Sequence, residues 1–429
     1  MREQSLHRSN PLALAVILMA LALLLGAALP PHVLGAPNGP KAVRFATFNA
    51  SLNRFNAGDL RSDLSTPNNA QAAAVAEIIQ RANPDVVLVN EFDYDPVAAE
   101  LFRDNYLEVA HNGAAAVSYP YLFIAPSNTG VPTGCAVCDF NNDGVVGGPD
   151  DAFGFGFFPG QYGMLVLSKY PIEHDAIRTF QHFLWKDMPG AMLPDDPSTP
   201  APADWYSPEE LAVFRLSSKS HWDVPIDIGG STVHFLVSHP TPPVFDGPED
   251  RNGTRNFVEI GFWADYVTPG AGSYIYDDEG GWGGLAPGAK FVIAGDMNSD
   301  PYDGDSIPGA SQQLLDNPRI NTTLTPTSDG GPYWAAIQGE LNDTHQTNPL
   351  YDTADFCDTA VAPPCSGPGN LRADYVLPSR NMRMLDGHVF WPTGDDPLLY
   401  LTGTGFPVPS SDHRLVWIDV HVPGAERGH

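Results

Sequence analysis

Seven short apolar runs, most of them rich in β-branched residues, recur along the chain at 43–48, 85–89, 163–168, 232–238, 290–294, 373–377 and 415–422. Each is bounded by turn residues, which predicts strands. Between the first two, small and aliphatic residues at helical spacing predict a helix over 70–82, with Asn68 and Asn69 as caps and Pro84 as the stop. A second helix is expected over 255–267, where Val258, Gly261, Phe262 and Tyr266 fall along one side and acidic groups elsewhere. Strands alternating with helices and hairpins imply a mixed α/β sheet structure. The Pro/Gly-rich stretches 189–208 and 270–288 read as surface loops. With no internal repeat and no long Ser/Gly linker, one large domain over 41–424 is expected.

The polar residues at the strand ends change this picture from fold to chemistry. The fifth run, Phe291-Val292-Ile293-Ala294, leads through Gly295 into Asp296-Met297-Asn298. Alternation along an extended strand would put Asp296 and Asn298 on one side. Alone, this stretch reads equally well as a turn. However, the first run ends in Asn49, the second in Asn90-Glu91, and the fourth in His239-Pro240-Thr241. The sixth begins with Asp374-Tyr375, and Ser411-Asp412-His413 precedes the last.

The order of these words over residues 43 to 422 resembles the endonuclease/exonuclease/phosphatase superfamily, in its deoxyribonuclease and sphingomyelinase-like branch. Gly-Asp-x-Asn and Ser-Asp-His are the most specific of them. The resemblance implies a four-layer α/β sandwich: two mixed β-sheets packed face to face, flanked by helices, with the site at one end. It implies a metal-dependent phosphoric ester hydrolase in which water attacks a phosphodiester. Glu91 would be the principal Mg²⁺ (or Mn²⁺) ligand, with Asn49 beside it and Asp412 as a second ligand. His413 would act as general base or donor to the phosphate, and Asp374 would orient it. Asp296 would position or deprotonate water, Asn298 would donate to a non-bridging oxygen, and His239 would contact phosphate. How Asp296, His239 and His413 divide proton transfer stays open. The chain departs from many relatives after His239, where Pro240-Thr241-Pro242-Pro243 stiffens a loop beside the site. Arg251 and Arg255 beyond it could meet phosphate or pair with Glu249 and Asp250.

A second motif lies in an insertion around 126–160. Asp139, Asn141, Asp143 and Asp150 stand at positions one, three, five and twelve of a calcium-loop pattern, with Gly144 at the sharp turn and Val145 offering its carbonyl. A structural Ca²⁺ is expected there; an Asx-rich surface turn is the alternative.

Composition narrows the compartment and the substrate. Arg2 and Arg8, followed by an aliphatic run from Leu12 to Leu29 and then small residues, give the layout of a signal peptide over 1–36. A secreted or periplasmic protein is expected, with a membrane-anchored form as the other outcome. In an exported chain, Cys135/Cys138 and Cys357/Cys365 suggest two local disulfide loops, although four cysteines allow three pairings and a zinc site is the alternative. With 51 acidic against 22 basic residues, a net charge of -29 argues against a broad basic face for nucleic acid. The expected partner is a phosphate-ester substrate, with DNA and RNA among the options, and no stable protein partner is implied. A phosphate-scavenging phosphomonoesterase and a non-catalytic calcium-binding surface protein on the same fold are the competing readings.

Overall fold

The computed structural model describes residues 42–200, 203–357, 365, 367–405 and 407–425. The expected signal segment lies outside these residues. In chain order the elements that position the site are β1 (Ala42–Asn49), α1 (Asp59–Leu64), α2 (Ala70–Ala82), β2 (Val86–Asn90), α3 (Pro96–Phe102), β3 (Tyr121–Phe123) and β4 (Met164–Ser168). There follow β5 (Arg178–Thr179), β6 (His221–Asp227), β7 (Thr232–Ser238), α4 (Arg251–Val267), β8 (Lys290–Asp296) and α5 (Gly330–Gln338). The chain closes with β9 (Ala354–Asp355), β10 (Asn370–Leu371), β11 (Asp374–Pro378), β12 (Arg383–Val389) and β13 (Val416–His421).

Two mixed sheets result, one of six strands in the order β12-β13-β1-β2-β4-β3 and one of five in the order β11-β8-β7-β6-β5. β1 and β2 run parallel, as do β7 and β8. Alternation sends Val43, Phe45, Val86 and Leu88 to one face of the first sheet, where they pack on Trp222, Val224, Phe235 and Val292 of the second. The opposite residues, Ala46, Phe48, Val87 and Val89, meet Val75, Ile78 and Ile79 of α2. On the far side, Leu236, Phe291, Ile293 and Tyr375 meet Val258, Phe262 and Trp263 of α4. These are the four layers, helix, sheet, sheet and helix. Because both its faces are covered, β2 is apolar up to its terminal Asn90 rather than alternating.

Local chemistry sets the element ends. The Asn69 side chain accepts from the Ala72 amide to cap α2, and Asn83 stops it in the left-handed region ahead of Pro84. α4 begins four residues earlier than its apolar spacing indicates, after Asp250 at φ 52°. The strand β6 escapes the apolar pattern because it contains Pro225. The Pro225 carbonyl accepts from Glu173 on the outer side, so the missing N–H faces the sheet margin and costs no ladder bond to β7. Disulfides join Cys135 to Cys138 and Cys357 to Cys365, which removes the thiolates a zinc site would need. Among the described residues, no helix is long and apolar enough to cross a membrane.

Candidate active site

Strand register assembles the site. Asn49 and Asn90 are neighbours at the ends of parallel β1 and β2, and Asp296 and Asp374 are direct partners across antiparallel β8 and β11. Asn90 ties the sheets together: its Oδ1 accepts from the Thr47 hydroxyl at 3.2 Å and its Nδ2 donates to the Ser238 carbonyl at 3.4 Å. The strand ends therefore deliver Asn49, Glu91, His239, Asp296, Asp374 and His413 to one place.

At its centre is a buried chain of charge. His413 Nδ1 lies 2.8 Å from Asp374 Oδ2, and its Nε2 lies 3.6 Å from Asp296 Oδ2. His239 Nε2 approaches the same Asp296 oxygen at 3.4 Å, and Asn49 Nδ2 donates to it at 3.0 Å. Thr353 adds its hydroxyl to Asp374 Oδ2 at 2.8 Å. Among the described residues, Asp296, Asp374 and His413 form the one group of three or more acidic, cysteine or histidine ligand atoms lying within 4.8 Å of one another.

Burial and charge then set the ionisation of each group. Burial alone would lower the His413 imidazole, but Asp374 and Asp296 raise it well above its ordinary value. Burial would likewise raise Asp296, yet His413 and His239 hold it far below the usual carboxylate range. For Asp374, burial with the Asp296 charge wins and pushes it up to about 6. Burial and the nearby Lys219 ammonium push His239 down to about 4. Near neutral pH the cluster thus holds an imidazolium between two carboxylates and a neutral imidazole beside them. His239 Nδ1 is buried with no hydrogen-bond partner among the described residues.

His239, Asp296 and His413 of this cluster line a cavity of about 990 Å³, together with Glu91, Asn298, Asp355 and Asp412. No Lys or Arg is among its described lining residues. Glu91 sits at φ 58°, in the left-handed region that a side chain enters only when its surroundings compel it. Burial and the Asp412 carboxylate push Glu91 up to about 7, while a hydrogen bond from Asn49 opposes them. Two oxygen-bearing acids that repel each other in a cleft with no lysine or arginine among its described lining residues form a donor set that fits a hard divalent cation.

Other residues singled out from the sequence fall differently. Asn298 stands at φ 50°, so strand alternation has ended before it. Its amide N–H donates to Asp296 Oδ1 at 2.9 Å and its side chain to the Pro240 carbonyl at 3.2 Å, which anchors it on the cavity wall. Arg251 pairs with Glu249, and Arg255 is buried against the Leu216 and Arg215 carbonyls at 2.8 and 2.9 Å, so neither lines the cleft. In the insertion, Asp139 Oδ1 and Oδ2 accept the amides of Asp143 and Gly144 at 3.0 and 2.7 Å, and Asp143 accepts that of Val145 at 2.8 Å. Asn141 Nδ2 donates to Asp143 at 3.2 Å. Asp150 is exposed, while the next residue, Asp151, is buried and accepts from Phe140 and Gly147, each at 2.7 Å. Sequence reasoning passed over Lys219 and Thr353. The first hides in the run Ser217-Ser218-Lys219-Ser220 ahead of the strand masked by Pro225, and the second is one of many threonines in loops.

Among solved structures, the fold is similar to an endonuclease/exonuclease/phosphatase from Beutenbergia cavernae, at 17% identity and TM-score 0.47, with 90% of this chain and 72% of that one covered. It is also similar to sphingomyelinase C from Streptomyces griseocarneus, at 13% identity and TM-score 0.43, with 88% and 99% covered. A third is a beta toxin variant from Staphylococcus aureus with bound magnesium ions, at 13% identity and TM-score 0.42, with 89% and 99% covered. No curated protein matches in sequence. The model of the Endonuclease/Exonuclease/phosphatase family matches residues 46–413, a span that takes in every strand-end residue of the cleft from Asn49 to His413, and the chain belongs to that family.

Proposed function

We propose that this protein is an exported, metal-dependent phosphodiesterase that cleaves its substrate by attack of water on phosphorus. The observation that carries the reading is the buried Asp374–His413–Asp296 relay, whose His413 and Asp296 line a cleft in which Glu91 and Asp412 gather further negative charge. Glu91, with Asn49 and Asp412, would hold a divalent cation, which when bound neutralises phosphate charge and activates water.

The side chains divide the remaining work. Asp374 fixes the His413 ring through Nδ1, leaving Nε2 aimed at Asp296 and the cleft, where an imidazolium donates to a phosphoryl oxygen. Asp296, kept ionised, orients the attacking water and draws off its proton. The new P–O bond forms as the ester P–O bond breaks, and the departing alkoxide leaves as the alcohol after taking up the proton that Asp296 drew from the water. His239 and Asn298 flank this point and position the phosphate. The insertion loop at Asp139, Asn141, Asp143 and Val145 is proposed to take a structural Ca²⁺.

The test is hydrolysis of bis-p-nitrophenyl phosphate, plasmid DNA and p-nitrophenyl phosphate, with Mg²⁺ or with EDTA. Metal-dependent turnover of a diester supports the reading. Turnover of the monoester alone would replace it with a phosphomonoesterase, and none at all would favour the non-catalytic reading.

A further inference from the structure

Helix α4 carries buried polar residues on a face where its amphipathic pattern gives no reason for them. Glu259 and Asn256, one turn apart, are both fully buried. Glu259 Oε1 accepts the Ser218 amide at 2.7 Å and Oε2 accepts the Thr241 amide at 2.6 Å. Its own backbone carbonyl lies 3.0 Å from Nε2 of His221, also buried. Asn256 Nδ2 reaches both the Thr241 carbonyl and the Met297 carbonyl at 2.8 Å.

The residues held this way border the site. Ser218 precedes Lys219, whose ammonium burial disfavours and the Glu259, Glu91 and Asp296 carboxylates favour, and which donates to the Pro240 carbonyl at 3.4 Å. Thr241 lies two residues beyond His239, and Met297 lies between Asp296 and Asn298. A buried carboxylate is costly unless hydrogen-bonded. Here its bonds go to two backbone amides of separate loops, and its charge compensates the lysine. Core helix packing requires none of this, since Val258, Phe262 and Trp263 already supply the apolar contact.

We propose that Glu259 and Asn256 are positioning residues: a two-residue clamp on α4 that sets the relative placement of the Lys219, His239 and Asp296–Asn298 segments. They touch no substrate and act through the groups they hold. The inference rests on the hydrolase reading for its catalytic consequence, though not for the existence of the clamp.

The experiment compares Glu259→Gln and Asn256→Asp with wild type, and uses Val258→Ala as a control that loosens the same helix through its apolar face. Both clamp variants keep side-chain size. A misplacement near 1 Å lowers turnover by about 100-fold, so kcat on bis-p-nitrophenyl phosphate should fall by about 10- to 100-fold with KM within about threefold of wild type. In Glu259→Gln, hydrogen exchange should speed up in peptides spanning Ser218 and Thr241 and stay unchanged in β1. Val258→Ala should lower Tm yet keep kcat within about twofold. The proposal is overturned if Glu259→Gln keeps wild-type kcat, if exchange at Ser218 and Thr241 is unaltered, or if Val258→Ala loses turnover equally. If wild type hydrolyses nothing, the hydrolase reading fails, and the exchange comparison still decides whether the clamp exists.

Discussion

Replacing Asp374 by Asn separates charge from shape at the centre of the relay. The carboxylate lies 2.8 Å from His413 Nδ1, where a unit charge pair at an effective dielectric near 20 interacts by about 6 kcal/mol. Asp296 remains 3.6 Å from Nε2, worth about 5 kcal/mol by the same arithmetic, so the variant keeps one of the two counter-charges. Both figures are upper bounds, because burial consumes much of such attraction. The amide can still accept from Nδ1–H but no longer stabilises an imidazolium, and a loss of about 10²- to 10⁴-fold in kcat is expected. Stability should move the other way. Burial and Asp296 already hold the Asp374 carboxyl up at about 6, so a neutral group relieves a buried charge. Asp374 Oδ1 has no hydrogen-bond partner among the described residues, and the new NH₂ placed there would offset part of that gain. The assay pairs kcat on bis-p-nitrophenyl phosphate with Tm by calorimetry. A variant that keeps kcat within about tenfold of wild type while His413→Ala is inactive would refute the argument that Asp374 acts through charge.

Removing the carboxylate charge in Glu91→Gln should abolish saturable Mn²⁺ binding by titration calorimetry and lower kcat by at least about 100-fold; unchanged Mn²⁺ affinity would place the cation elsewhere. In the insertion, Ca²⁺ should raise Tm relative to EDTA and Asp139→Ala should erase the rise, whereas equal Tm in both media would mark an Asx turn without a cation. Stability should also depend on pH through His221, which burial holds down at about 4 against an ordinary 6.5. Below pH 6.5 the unfolded chain takes up a proton that the folded one refuses, so stability falls as pH drops toward 4, by about 3 kcal/mol in total, and this dependence levels off below. His221→Gln should remove that part of the slope in pH-dependent denaturant unfolding, and an identical slope would count against it.

The legible parts of this chain were those where one physical pattern dominates. β1, β2, β7 and β8 read as strands because their apolar runs are buried on one or both faces, and the polar residue ending each run marked the cleft. β6 was hidden because His221, Asp223 and Asp227 make it look polar and Pro225 makes it look broken. Its polar face is nevertheless buried under α4, where Asp223 accepts from the Tyr266 hydroxyl at 2.7 Å. The same cause concealed the clamp, since helical spacing assigns Glu259 and Asn256 to the outside and only tertiary packing buries them. β12 was missed for a different reason: it is a sheet edge, mostly exposed or half-buried, with little apolar signal. The turn at Asn298 could not be placed because Gly-Asp-Met-Asn fits an extended strand and a left-handed exit equally well.

The central claim is that water held over Asp296 and His413 attacks phosphorus. Hydrolysis of bis-p-nitrophenyl phosphate in ¹⁸O-labelled water with Mg²⁺, followed by mass spectrometry of both products, tests it most directly. The account predicts one ¹⁸O in the released phosphate monoester, none in the p-nitrophenol, and loss of the reaction in His413→Ala. Label in the phenol, or undiminished labelling of the phosphate by His413→Ala, would contradict it.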